Sequence, residues 1–128
     1  MPLETLKKRA EFLRVRGGAR WSSPSATLET RMRQHPDQAL AVPRFGFTVT
    51  KKLGGAVDRN RIRRRLKAAV MELAAEHARL GHDYVLIAKP LALSRPYDEL
   101  KKDLEVAFHR VHHARPAKRP RPPTGTTR

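Results

Sequence analysis

The stretch Lys51–Met71, K-K-L-G-G-A-V-D-R-N-R-I-R-R-R-L-K-A-A-V-M, limits what this chain can fold into more than any other. Six of the nine residues from Arg59 to Lys67 are Lys or Arg, and no acid stands between Asp58 and Glu72. The same stretch has a helical apolar pattern. At about 100° per residue, Ile62, Leu66, Ala69, Val70, Leu73, His77 and Leu80 fall on one side. The cations and Asn60 fan around the rest. Guanidinium groups are costly to bury, so such a helix docks a narrow apolar stripe and turns its charge to solvent. Like charges this dense repel one another until a polyanion neutralises them. Gly54-Gly55 reads as a break after a strand, and Asp58 as the helix N-cap. The first turn then offers backbone N–H groups beside Arg59 and Arg61, a setting suited to phosphate oxygens.

The whole chain has the same bias. Its 128 residues carry 28 Lys and Arg against 12 Asp and Glu, a formal charge of +16. The last fifteen residues hold only five of those cations and none of the acids, so the charge belongs to the folded body. A nucleic acid or an anionic membrane is the indicated partner. There is no cysteine, which removes disulfides, thiolate chemistry and Cys-ligated zinc and suits a reducing cytoplasm. No apolar run approaches a membrane span, and the N-terminal stretch lacks the apolar core of a signal peptide. One domain over residues 1–113 is expected, followed by a basic, Pro-rich disordered tail over 114–128.

Leu3, Leu6, Ala10 and Leu13 have helical spacing, which predicts a short amphipathic helix ending before Gly17-Gly18. Phe12 sits off its stripe. It either projects toward a partner or belongs to the core, and composition does not separate the two. Gly17–Ser25 reads as a loop in which Trp21 packs over the sheet edge. Ala26–Arg33 alternates as a half-buried strand with Glu29, Arg31 and Arg33 on its outer side. Leu40–Lys52 is extended, with Pro43 marking an edge or a break. There Phe45, Phe47 and Val49 form an apolar face, and Arg44, Gly46, Thr48, Thr50 and Lys52 form the other. That second face is basic, hydroxyl-rich and low in bulk. It suits either plain solvent or an extended nucleic-acid strand. Leu80–Asp83 ends the basic helix. Tyr84–Lys89 is an interior strand covered on both faces, and strand, helix, strand from Phe45 to Lys89 makes a βαβ unit. A last helix follows Ser94, with Tyr97, Leu100, Leu104, Ala107, Phe108 and Val111 as its core stripe.

No catalytic constellation appears. His109, His112 and His113 have metal-ligand spacing but no carboxylate or thiol near them, and read as a solvated cluster. His77, His82 and Asp83 lack a nucleophile. The acids are scattered, and Gly54-Gly55 is not a phosphate loop. The expectation is no catalytic and no metal-binding residue in the protein.

The string F-G-F-T-V-T-K-K-L-G-G-A-V-D-R-N-R-I-R-R-R-L-K resembles the bacterial ribonuclease P protein family, and the resemblance extends over Leu6–Val111. That family is the small basic subunit of the ribonucleoprotein that removes the 5′ leader of precursor tRNA. The resemblance implies an α/β sandwich with a central mixed sheet, order α-βββ-α-β-α, and a left-handed βαβ crossover where general rules favour a right-handed one. It implies that Arg59, Asn60, Arg61, Arg63, Arg64 and Lys67 bind the catalytic RNA subunit. Lys51, Lys52 and Arg65 of the same basic stretch are grouped with them. Arg63-Arg64 stands where the family usually has Lys-Arg. The resemblance also assigns Phe12 to a cleft for the single-stranded leader, where a base can stack on it. Arg16 stands where the family often has a second aromatic residue. With it, Arg44, Thr48, Thr50 and Lys52 become the leader side of that cleft. RNA would cleave the phosphodiester and hold most of the Mg2+. Precursor tRNA and the RNA subunit are the expected partners, with no membrane, DNA or second copy of the chain, in the cytoplasm. Two other readings compete: a ribosomal or chaperone-like RNA-binding protein without a processing role, and an autonomous nuclease.

Overall fold

In a computed structural model that describes residues 4–33 and 41–113, the chain forms one five-stranded mixed sheet with helices on both faces. The elements in order are β1 (Glu4–Thr5), α1 (Arg9–Val15), β2 (Ala19–Ser22), β3 (Ala26–Met32), β4 (Arg44–Thr48), a single 3-10 turn (Lys51–Leu53), α2 (Ala56–His77), β5 (His82–Ala88), α3 (Leu91–Ser94) and α4 (Tyr97–His113). The spatial strand order is β1-β4-β5-β3-β2. β4 and β5 run parallel, so α2 is the connection between the two inner strands, and the expected βαβ unit is present. The α-βββ-α-β-α order holds, with β1 and α3 added to it. The basic tail lies outside the described residues.

The alternation of the strands sets two different faces. On one, the rows Thr30–Tyr84–Phe45 and Leu28–Leu86–Phe47 run across β3, β5 and β4. These residues pack on Ile62, Leu66, Val70 and Leu73 of α2 and on Leu100, Leu104, Phe108 and Val111 of α4. Each large side chain fully removed from water there stabilises the fold by about 1.5–3 kcal/mol. Phe45 stacks on Tyr84 at 5.1 Å between ring centroids. The other face carries the rows Arg31–Asp83–Arg44, Glu29–Val85–Gly46 and Thr27–Ile87–Thr48. Among the described residues, the short α1 is the helix that covers it.

Several local expectations change. The segment Leu3–Leu13 is not one helix. Leu3 lies outside the described residues, and Leu6 is buried as an extension of β1, its N–H donating to the Phe45 carbonyl at 2.9 Å. The helix starts only where the Glu11 carboxylate can take the N–H groups of Lys7 and Lys8, at 2.9 and 3.0 Å. Leu13 is consequently 45% exposed, while Val15 is buried. The expected loop Gly17–Ser25 contains β2, whose Ala19 and Trp21 pack inward, with Arg110 of α4 over the Trp21 ring. From Ala26 to Thr30, β3 is buried on both faces rather than one, because α1 covers its second side, and Glu29 is therefore buried; Arg33, just after the strand, is buried against Asp83. Gly55, not Asp58, is the N-cap of α2, and Asp58 lies inside the first turn. Gly54, at φ 129°, lies in the left-handed region that favours glycine and ends the 3-10 turn. α2 stops at His77, so Leu80 lies beyond the helix and is exposed.

Candidate nucleic-acid interface

The helix α2 carries the first half of the site. Its stripe Ile62, Leu66, Ala69, Val70 and Leu73 is buried, which fixes the rotation of the rod and therefore the direction of its cations. Arg61, Arg64 and Lys67 are exposed, as are Lys51 and Lys52 of the preceding turn. None of these five has a side-chain hydrogen bond or ion pair among the described residues. Arg59 donates to the Gly54 carbonyl at 3.1 Å, and Arg63 to the Asn60 side chain at 3.3 Å. No carboxylate neutralises any cation from Arg59 to Lys67 among the described residues. The first acid after them, Glu72, is used elsewhere: it takes the Lys101 ammonium at 2.6 Å and the Tyr97 hydroxyl at 2.7 Å, tying α4 to α2. The charge of the rod is thus left without an internal counter-charge among the described residues.

Arg65 differs from its neighbours. Its guanidinium donates to the Leu93 carbonyl at 2.9 Å and also to the Arg95 carbonyl, so it pins the α3–α4 connection to α2. Arg61 and Arg64 line the rim of the notch that results, about 530 Å³ in volume, with Ser94, Pro96 and Tyr97 opposite.

The second half of the site is a groove of about 570 Å³ on the α1 face of the sheet. Phe12 and Arg16 of α1 and its end meet Thr48 and Thr50 there, so four of the expected leader-cleft residues come together. The groove also takes in Lys7, Arg9, Leu13, Glu29, Val85 and Ile87. Phe12 is neither wholly core nor wholly projecting. Half-buried, it packs on Leu6, Val15 and Val85 while one side of it lines the groove. Gly46 makes this possible. A Cβ there would stand 2.4 Å from the Phe12 ring, so only a glycine lets the ring lie directly on β4. The extra lining residues were hidden in the sequence. The apolar run Tyr84–Lys89 does not say which members face the groove. The parallel register does, by setting Val85 beside Gly46 and Ile87 beside Thr48.

Arg44 is not on the groove. It lines a separate hollow with Glu4, Thr5, Lys7, Lys8 and Glu11. Its Nε and Nη2 donate to Asp83 at 2.9 and 2.8 Å, and its Nη1 to Glu11 at 3.3 Å. Asp83, fully buried, also accepts from Arg33 at 2.9 Å and from Arg14 at 2.6 Å. Burial pushes the Asp83 carboxyl up, but hydrogen bonds from Arg44 and Arg33 and their charges outweigh it and hold it below the ordinary aspartate value. This cluster joins α1, the residue that follows β3, β4 and β5. The sequence showed only an acid beside a histidine, because the partners lie 39 to 69 residues away.

The histidines also move from their expected place. His112 is not a solvated member of a cluster. It is half-buried against the Tyr84 hydroxyl at 2.7 Å, and burial, with the Arg79 charge behind it, lowers its pKa to about 4. Among the described residues, no group of three His, Cys, Asp or Glu is placed to hold a metal ion, and no helix is long and apolar enough to cross a membrane.

Comparison with known proteins agrees with this fold. The family model described as Ribonuclease P matches residues 2–112. The ribonuclease P protein component of Paramagnetospirillum magneticum is 46% identical over 110 residues, covering 85% of this chain and 83% of that protein. The Ruegeria pomeroyi protein of the same name is 38% identical over 115 residues, covering 89% and 90%. Among solved structures, the Staphylococcus aureus RNase P protein superposes with a TM-score of 0.68 at 26% identity, covering 84% of this chain and 94% of that one. The RNase P protein of Thermotoga maritima gives 0.68 at 19% identity, covering 88% and 98%, and at that identity shows the shared fold alone.

Proposed function

The chain belongs to the ribonuclease P protein family, and from that membership we propose how its two surfaces divide the work of removing the 5′ leader from precursor tRNA. It is the protein component of the ribonucleoprotein. The exposed cations of α2, with Lys51 and Lys52, seat the catalytic RNA subunit through phosphate contacts and counterion release. The groove between α1 and the sheet takes the single-stranded leader. There Phe12 offers a stacking face, Thr48 and Thr50 offer hydroxyls, and Lys7, Arg9 and Arg16 draw phosphates. Holding the leader raises affinity for precursor over mature tRNA and brings the scissile phosphate to the RNA. The protein supplies no nucleophile or general base to that step. Among the described residues no group of three His, Cys, Asp or Glu is gathered to hold a metal ion, and no step assigned here to the protein runs through Mg2+; the reading gives cleavage and the metal to the RNA, in the cytoplasm.

The observation that carries this reading is a fixed row of cations left unneutralised among the described residues, together with a groove with an aromatic wall on the α1 face of the sheet. The test is reconstitution with the RNA subunit and precursor tRNA at low magnesium. Protein with RNA should release a 5′ leader and protein alone should not. Arg64→Glu should weaken assembly and flatten the salt dependence of binding by about one unit of slope. Phe12→Ala should lower the preference for precursor over mature tRNA. An inert mixture, or cutting by the protein alone, refutes the assignment.

A further inference from the structure

The notch between α2 and the α3–α4 connection has an inner wall that is already satisfied and a rim that is not. Arg65 and Arg95 belong to the wall. Arg65 donates to the Leu93 and Arg95 carbonyls, and Arg95 holds Asp103 at 2.6 Å and Glu99 at 3.4 Å. The oxygens that would repel an incoming anion are therefore engaged from within the protein. The rim differs. Arg61 and Arg64 on α2 are exposed and have no hydrogen bond or ion pair among the described residues, and the same holds for the Ser94 hydroxyl across from them. Residues three apart on a helix are neighbours, so two guanidinium forks stand together on one side of the cavity. That planar fork matches the oxygens of a phosphate.

Tyr97 adds what the cations lack. Half-buried, it packs against the main core cluster and also lines the notch. Its hydroxyl donates to Glu72 at 2.7 Å, and Glu72 is held in turn by Lys101 at 2.6 Å. The ring is thus fixed before any ligand arrives, and a fixed ring loses little freedom when something stacks on it. The cavity, about 530 Å³, has the volume of a small-ligand site. Paired phosphate forks facing an anchored aromatic ring suit a single unstacked nucleotide. An intact duplex would engage the arginines and leave Tyr97 idle.

We propose that the notch captures one unpaired nucleotide of the RNA subunit, its phosphate between Arg61 and Arg64 and its base on Tyr97, with Ser94 offering a hydroxyl to its sugar. Stacking of this kind is tolerant of sequence, because every base has a π-face. The start of α4 thereby becomes part of the RNA seat, and Glu72 is a positioning residue for the ring. This rests on the reading of α2 as that seat.

The experiment keeps the two apart. Affinity of the full-length protein for the RNA subunit is measured over a salt series for wild type, Tyr97→Leu, Tyr97→Phe and Arg64→Glu, each below its melting temperature. Tyr97→Leu should bind about tenfold more weakly with the salt slope of the wild type, since no phosphate contact is lost. Tyr97→Phe loses the bond to Glu72 but keeps the ring, and should stay within about threefold of wild type. Chemical probing of unpaired nucleotides in the same complexes should find one position protected by wild type and Tyr97→Phe and reactive with Tyr97→Leu. Tyr97→Leu binding as wild type, equal losses in the two Tyr97 variants, or no nucleotide whose reactivity follows the ring overturns the proposal. Weakened assembly by Arg64→Glu would then leave the α2 seat standing without the notch. If Arg64→Glu also binds as wild type, α2 itself is misassigned.

Discussion

Removal of the Asp83 carboxylate is the sharpest test of how the groove is built. Asp83 is fully buried, and its three arginines differ in exposure: the Arg33 side chain is 4% exposed, Arg44 25% and Arg14 31%. In Asp83→Ala, Arg14 and Arg44 can turn toward water at little cost. Arg33 keeps the Val42 carbonyl but loses the carboxylate that holds its Nε. Breaking one partnership of this buried kind costs about 3–5 kcal/mol. The expected loss is of that size, against a total stability of about 5–15 kcal/mol for a domain. Asp83→Asn keeps the shape without the charge and should lose about 2 kcal/mol. Urea unfolding reads both values from the midpoint at constant slope. The pH dependence gives an independent check. Because the native carboxyl titrates below its unfolded value, its contribution is complete above about pH 4 and disappears as pH falls through the native value. Asp83→Asn should remove that part of the acid sensitivity. A loss below about 1 kcal/mol in Asp83→Ala, or unaltered acid sensitivity in Asp83→Asn, would refute the reasoning.

Other outcomes follow from the same geometry. Gly46→Ala places a methyl group against the end of the Phe12 ring, which can swing aside. It should cost only about 1 kcal/mol in unfolding yet reduce leader-dependent affinity as Phe12→Ala does. Arg65→Ala should lower unfolding stability by about 1–2 kcal/mol and leave the salt slope of RNA binding as in the wild type, since its donors are turned to the Leu93 and Arg95 carbonyls. His112 prefers its neutral form in the fold, so its contribution is full above about pH 6.5 and lost as pH falls toward about 4. Melting temperature should fall less across that window in His112→Gln than in wild type.

What the sequence displayed depended on how local the determinant was. The α2 stripe was legible because each member lies three or four residues from the next, and burial confirms Ile62, Leu66, Ala69, Val70 and Leu73. The α4 stripe was legible for the same reason. Arg44 was placed on the leader side because strand parity is also local, but what it touches is decided by Asp83, beside it only after a parallel pairing across the α2 connection. The N-terminus differs in the opposite way: Leu3, Leu6 and Leu13 have helical spacing, yet Leu6 is held by the β4 edge through its bond to the Phe45 carbonyl. Glu29 looked like an outer-face residue because nothing nearby in sequence says that α1 will fold over β3.

The passage from groove to basic rod is very short. Thr50 is a groove residue, and α2 begins at Ala56. Six residues cannot span more than about 20 Å even when fully drawn out, and here part of that length is wound into a turn. The chain therefore behaves as a gauge of fixed reach. Whatever RNA grips the rod has its distance to the waiting strand set in advance, and neither hand of the protein can be repositioned without carrying the other.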